Sequence, residues 1–222
     1  MATNTNFTSL TTDVQQYLER GGSTTTDPII FAQIPRRINA AERKIAQTMK
    51  LLGMLTVLVN PAGLVAGQSV IAKPDRWRET VSINYGVGPN SSSHQFLLPR
   101  SYEYCRTYWP DATTIDPEQP PLFYADYHLL YWLIVPTPPA TYPLEVLAYL
   151  QPPYLDNINQ TNFFSEYTPN LLLYGTLLEF APLLKNDERI PTWQGLWDTE
   201  AKGLVSQDLQ RVLDRAAERK SV

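Results

Sequence analysis

Cysteine is nearly absent. Cys105 stands alone among 222 residues, so no intrachain disulfide can form, which fits a reducing compartment. A nucleophilic thiol needs a base beside it. The only two histidines, His94 and His128, sit in no recognisable motif, so Cys105 is read as a buried or idle thiol. Two histidines also cannot build a histidine-rich metal site. A glycine-rich phosphate loop is missing: 86-GVGPN-90 follows a strand-like segment, but no helix and no Lys-Ser/Thr pair comes after it. There is no cysteine pair, no HExxH and no Gly-x-Ser-x-Gly. Charged residues make up only 18%, below the usual ~25%. The net charge of −4 argues against an open nucleic-acid-binding surface, which would be basic. No apolar run approaches the ~20 residues of a membrane helix. The start, MATNTNFTSL, lacks the basic region and apolar core of a signal peptide. The chain is therefore read as soluble.

What the sequence does have is apolar residues (43%), 19 prolines and 13 tyrosines. That combination predicts a real core, many rigid connections and a polar-aromatic surface. In 8-TSLTTDVQQYLER-20, Leu10, Val14, Tyr17 and Leu18 form one helical stripe, stopped by Gly21-Gly22. Asp27-Pro28 reads as the cap of a short turn, and Pro35 as the opening of a longer helix. Within 35-PRRINAAERKIAQTMKLL-52, Ile38, Ala41, Ile45, Met49 and Leu52 recur at spacings of three or four. Arg36, Arg37, Glu42, Arg43 and Lys44 are assigned to the solvated face.

From Met54 the period changes to two. Segments 54–60, 68–73, 79–85, 95–99, 122–127, 129–135 and 144–150 read as short strands, separated by turns and by many prolines. Pro61 and Gly63 are expected to turn the chain. After Asp156 a helix opens at Thr168-Pro169, apolar around much of its girth and so buried. Pro182 is expected to kink or end it. The last helix is expected from about Pro191 to Lys220, with Trp193, Leu196, Trp197, Ala201, Leu204, Leu209, Val212 and Ala216 as its stripe. The fold class is thus α+β: terminal helices packed as a bundle (1–53 and 156–222) around an inserted, mainly antiparallel β-domain (54–155).

The charged knot Lys185-Asn186-Asp187-Glu188-Arg189 lies between the last two helices. Asp187 and Glu188 could act as a carboxylate pair, but no spacing singles them out. The simpler reading is a helix corner, with Asn186 and Asp187 binding backbone amides and Trp193 and Trp197 serving as packing residues.

Several stretches carry a family resemblance. They are Ile38, Ala41, Glu42 and Ile45 on one helix; 135-VPTP-138; 142-YPLEV-146 running to 148-AYL-150 and Pro152-Pro153; 162-NFF-164 ahead of 167-YTPNLLL-173; and 183-LLKNDERIPTW-193. The chain resembles the head-to-tail adaptor proteins of tailed bacteriophages, especially the adaptor ring of short-tailed phages. The best-matching block is 129–204, and the region 54–125 matches nothing nameable. The resemblance implies a structural virion protein of the head-tail junction, made in the bacterial cytoplasm. It implies no enzymatic activity, no cofactor and no metal. It implies a ring, of twelve copies in this family, between portal protein and tail nozzle, through which DNA passes without specific binding. Two other readings are kept: a tail-nozzle or tail-completion subunit, and a small hydrolase with a helical cap, which would need a pocket with convergent polar groups and a perturbed carboxylate.

Within the adaptor reading, Arg211, Arg215, Arg219 and Lys220 gather on the last helical turns. Cations there favour the helix C-terminus, and they also suit an acidic groove on a portal. The middle of the chain holds Tyr102, Tyr104, Tyr108, Trp109, Phe123, Tyr124, Tyr127, Tyr131 and Trp132. Many of these alternate and cannot all face one core. Tyr108, Trp109, Asp111, Asp116 and Glu118, beside and within the proline-bounded loop 110-PDATTIDPEQPP-121, are expected to contact the tail or a neighbouring copy.

Overall fold

The computed structural model describes residues 5–19, 27–86, 95–111, 115–184 and 187–218; for 61–62 and 211–218 it describes the backbone course only. The chain divides into two compact units, Leu55–Leu150 and the pair Met1–Met54 with Gln151–Val222. The class is α+β. The loop 87–94 expected after Gly86, and Gly21-Gly22, lie outside the described residues.

The helical unit is built from stripes. Helix α1 (Phe7–Leu18) starts from a capping box in which Asn6 and Ser9 bond reciprocally, and it buries Phe7, Leu10, Val14 and Leu18. Helix α2 (Pro28–Thr48) is one continuous helix capped by Asp27, with Pro35 inside it. This corrects the expectation of a short turn followed by a helix opening at Pro35. An interior proline costs about 3 kcal/mol in an isolated helix. Here its ring faces solvent, and the buried stripe Ile30, Ile34, Ile38, Ala41, Ile45 runs straight past it. A 3-10 turn (Leu52–Met54) ends this half.

The chain re-enters the unit through α4 (Phe163–Tyr167), α5 (Pro169–Glu179) and α6 (Ala181–Leu184). The break between α5 and α6 falls where Pro182 denies the Leu178 carbonyl its donor. α5 buries Leu171, Leu172, Leu173, Gly175, Thr176, Leu177 and Leu178, so it is the central helix. Gly175 permits a close crossing of α2 and α7 over α5. A β-carbon there would stand 3.4 Å from the Ala41 Cβ and 3.3 Å from the Trp197 indole nitrogen. Helix α7 (Ile190–Glu218) closes the unit. Trp193 and Ala201 on α7 are buried and Trp197 is half-buried, whereas Leu196 and Leu209 are exposed and do not belong to the packed stripe.

The β-unit is a seven-stranded sheet in the order β1-β7-β3-β4-β5-β6-β2: β1 (Leu55–Leu64), β2 (Val70–Ala72), β3 (Trp77–Tyr85), β4 (Gln95–Pro99), β5 (Phe123–Ala125), β6 (Tyr131–Val135) and β7 (Tyr142–Leu150). All pairs are antiparallel except β4–β5, which is parallel. A parallel pair needs a crossover, and helix α3 (Tyr102–Tyr108) supplies it. The sequence reading places Tyr102, Tyr104 and Tyr108 in the β-region without assigning them a strand, and here they form a helix. Ser101 caps a helix, accepting from the Tyr104 N–H. Pro61 and Gly63 do not end β1 either; it runs through them with a bulge between Asn60 and Leu64. Gly63 is required there, since a β-carbon would fall 2.3 Å from the Leu144 Cβ.

Register explains the core. Leu58, Val146, Ile83 and Leu97 are directly paired across β1, β7, β3 and β4, so they share one face. That inner face closes over Leu64, Tyr85, Tyr124, Trp132 and Ile134. On the other face, Cys105 of α3 covers Ala125, Leu133 and Val135, with Tyr104, Trp109 and Phe123 alongside.

Candidate interaction surfaces

The residues expected to meet a portal lie at the end of α7. Its backbone is helical through Arg211 and Arg215; the side chains of these two, and Arg219 and Lys220 altogether, lie outside the described residues. Among the described side chains of α7 the buried ones are Trp193 and Ala201, and Val205 and Leu209 face solvent.

The residues expected to meet the tail or a neighbour surround α3. Tyr108 is exposed, its ring tilted against Tyr104 with centroids 4.8 Å apart; Trp109 is half-buried, 5.6 Å from Phe123. Asp111 and Asp116 follow. The Asp116 carboxylate accepts the Glu118 N–H at 3.0 Å, and its carbonyl accepts the Gln119 N–H at 3.1 Å. This is a closed turn with Pro117 in the position that favours it, so Glu118 is held on a preformed corner.

At the helix corner Asp187 bonds its own chain. It accepts the Arg189 N–H at 2.9 Å and the Arg189 guanidinium through both oxygens. Arg189 also donates to the Tyr17 carbonyl at 2.8 Å and lies 5.3 Å over the Trp193 ring. Asp187 and Arg189 thereby tie α7 to the end of α1. Asn186 lies outside the described residues.

Two buried polar clusters escaped sequence reasoning. The first is Glu42, assigned to the wet face but in fact buried with Ile38, Ala41 and Ile45. Its carboxylate accepts from the Leu155 N–H at 3.3 Å and from the Asn162 amide. Asn39, with its amide turned to donate, reaches Glu42 Oε2 and the Leu155 carbonyl, both at 3.1 Å. Asn162 also caps α4 through the Phe164 and Ser165 N–H groups. Burial pushes the Glu42 carboxyl up to about 7, against the lowering effect of the Asn162 and Leu155 donors and with a smaller contribution from nearby Asp156. A perturbed carboxylate is what the hydrolase reading asked for, yet this one is enclosed and its oxygens are occupied by the chain itself.

The second cluster is Lys73. Its ammonium bonds Asp126 and the His128 carbonyl (2.7 Å) and lies 3.3 Å from the centre of the Trp77 ring. Thr80 Oγ1 accepts from the Trp77 and Trp132 indole N–H groups and donates to Asp126. The network ties β2, β3, β5 and β6 together at their ends.

Of the remaining chemistry-bearing residues, Cys105 is fully buried and burial pushes its thiol up, so it is unreactive. His128 Nδ1 accepts the Leu130 N–H at 3.0 Å, and His94 lies outside the described residues. Among the described residues no helix is long and apolar enough to cross a membrane. No curated protein matches the chain. The family model described as SU10 adaptor protein matches residues 5–220, across both units. The chain therefore belongs to the SU10 adaptor protein family, the structural adaptor proteins of bacteriophages.

Proposed function

We propose that this chain is the head-to-tail adaptor of a short-tailed phage. Its copies form a ring between the portal protein and the tail nozzle, twelve by resemblance to such adaptors, and the ring extends the DNA channel. The observation that carries this reading is the family match across residues 5–220. A match to one unit alone would have left the other free to define a different role. The mechanism is geometric: closed symmetry repeats one modest contact in every copy, so many weak contacts act together. A net charge of −4 suits a lumen that lets phosphate slide without holding it. Electron microscopy of the phage neck tests the reading directly. Density for this chain in a closed ring against the portal is the expected result, and its location elsewhere in the particle overturns it.

Each of the two units has its own expected partner. Helix α7 is about 43 Å long, and its C-terminal part, with the sequence that follows it and Arg211, Arg215, Arg219 and Lys220, is the portal-binding segment. Removal of residues 206–222 should abolish portal binding in sedimentation while the chain stays folded. The cut also removes Asp208, which accepts the Leu52 N–H at 2.8 Å, so stability should fall by about 1 kcal/mol. Binding at full strength would place the portal contact elsewhere.

The loop 110–121, with Asp111, Asp116 and Glu118, is the tail-facing segment. Replacing it with a short Gly/Ser linker spares the Trp109–Phe123 contact. The expected outcome by microscopy is an intact portal complex and an accumulation of filled heads without tails. Normal tailed particles would rule this loop out.

A further inference from the structure

The outer face of the sheet is covered on one side only. Over β5 and β6 it carries α3, whose Cys105, Tyr104 and Trp109 seal Ala125, Leu133, Val135 and Phe123. Over β1, β7, β3 and β4 the same face is left uncovered by the described residues of the β-unit. Register shows which residues share it: Val59, Glu145, Asn84 and Phe96 are paired in one row across the four strands, and Val57, Leu147 and Ser82 in the next. Val57, Val59, Val81 and Phe96 are 45–66% exposed. These are large aliphatic and aromatic groups at positions where a one-sided sheet ordinarily shows polar ones. Val57, Val59 and Leu147 adjoin on β1 and β7, and the Asn84–Glu145 pair separates them from Phe96 on β4; exposed apolar groups clustered in this way mark an interaction site.

We propose that the bare half of this face receives the α3 ridge of a second copy, giving a head-to-tail contact between neighbouring β-units. Three observations point to this occupant. The molecule already shows how a helix of this composition covers this face, since α3 does so on the adjoining half. The ridge is apolar and exposed at its far end, where Tyr108 is 64% exposed. The charges are complementary. The bare half has two carboxylates, Glu79 and Glu145, against one guanidinium, Arg78 in the bulge. The ridge from Arg100 to Trp109 has two guanidinium groups, Arg100 and Arg106, against one carboxylate, Glu103. Two unlike patches on one chain make a heterologous contact, which is the kind that closes rings. The inference rests on the ring reading and names its interface.

The test uses particles carrying Val59→Cys and Tyr108→Cys in the same chain, treated with a short bis-maleimide. The native Cys105 is buried and contributes no background. The double variant is expected to give a denaturing-gel ladder extending well beyond dimers, and each single variant to give monomers only. Particles that show the ring by microscopy but give no ladder overturn this contact and leave the ring reading intact. Dimers from Val59→Cys alone also overturn it, because they require the face to meet itself. A neck without a ring of this chain overturns both.

Discussion

Asp126→Ala is expected to destabilise the β-unit by about 3 kcal/mol, and Lys73→Met by only about 1 kcal/mol. The asymmetry follows from burial. The Lys73 side chain is 1% exposed, whereas Asp126 is 33% exposed. Removing the carboxylate strands an ammonium whose remaining neighbours are one carbonyl and the Trp77 and Trp132 rings. A buried charge without its partner is among the most expensive defects a core can carry. Removing the lysine instead strands a carboxylate that water reaches, and Thr80 still donates to it. The methionine side chain fills the space between the rings. Urea unfolding followed by tryptophan fluorescence reports this site, since Trp77 and Trp132 both bond Thr80. Equal losses in the two variants would show that the stranded charge is not what sets the cost.

The Lys73 network shows what sequence reading could not reach. Its partners lie 53 residues apart, Lys73 directly before Pro74 and Asp126 just after a three-residue strand, so no periodic pattern contains both. Helix α3 was hidden for a different reason. Tyr102, Tyr104 and Tyr108 are strand-favouring types at even spacing, and the seven-residue helix carries only a short signal, the Ser101 cap. Pro35 misled because its cost is real but local, and the matched stripe from Ile30 to Ile45 around it stabilises the helix more than one missing bond destabilises it. The stripes of α1, α2 and α5 and the strands of period two were legible because each buries one face. The proposed interaction surfaces were legible only as composition. Which of the many aromatics stay uncovered depends on where α3 lies, and that is decided by packing.

Glu42 was readable and was misread by residue type. It stands four positions after Ile38 and three before Ile45, which puts it on the buried stripe whatever its charge. Its consequence is a pH dependence with a definite sign. The folded carboxyl titrates at about 7, against an ordinary value of 4.5. Between those values the native chain holds a proton that the unfolded chain has released, so stability falls as pH rises through this window and is level on either side. The size of the fall is about 3 kcal/mol. Its seat is the junction of α2 with the connection through Leu155 to Asn162, so local opening there should grow over the same range, read by amide exchange at Leu155. Asp156 is held below its ordinary range by the Asn159 and Ile158 N–H groups, and that group acts in the opposite direction at lower pH. The difference between wild type and Glu42→Gln isolates the Glu42 contribution. Relative to the variant, the wild type should lose about 3 kcal/mol from pH 4.5 to pH 7.5 in urea titrations, because glutamine cannot ionise and keeps an oxygen for the Asn162 amide. Parallel stability curves for the two proteins would mean that Glu42 holds no proton in the folded state, and that its three amide donors outweigh its burial.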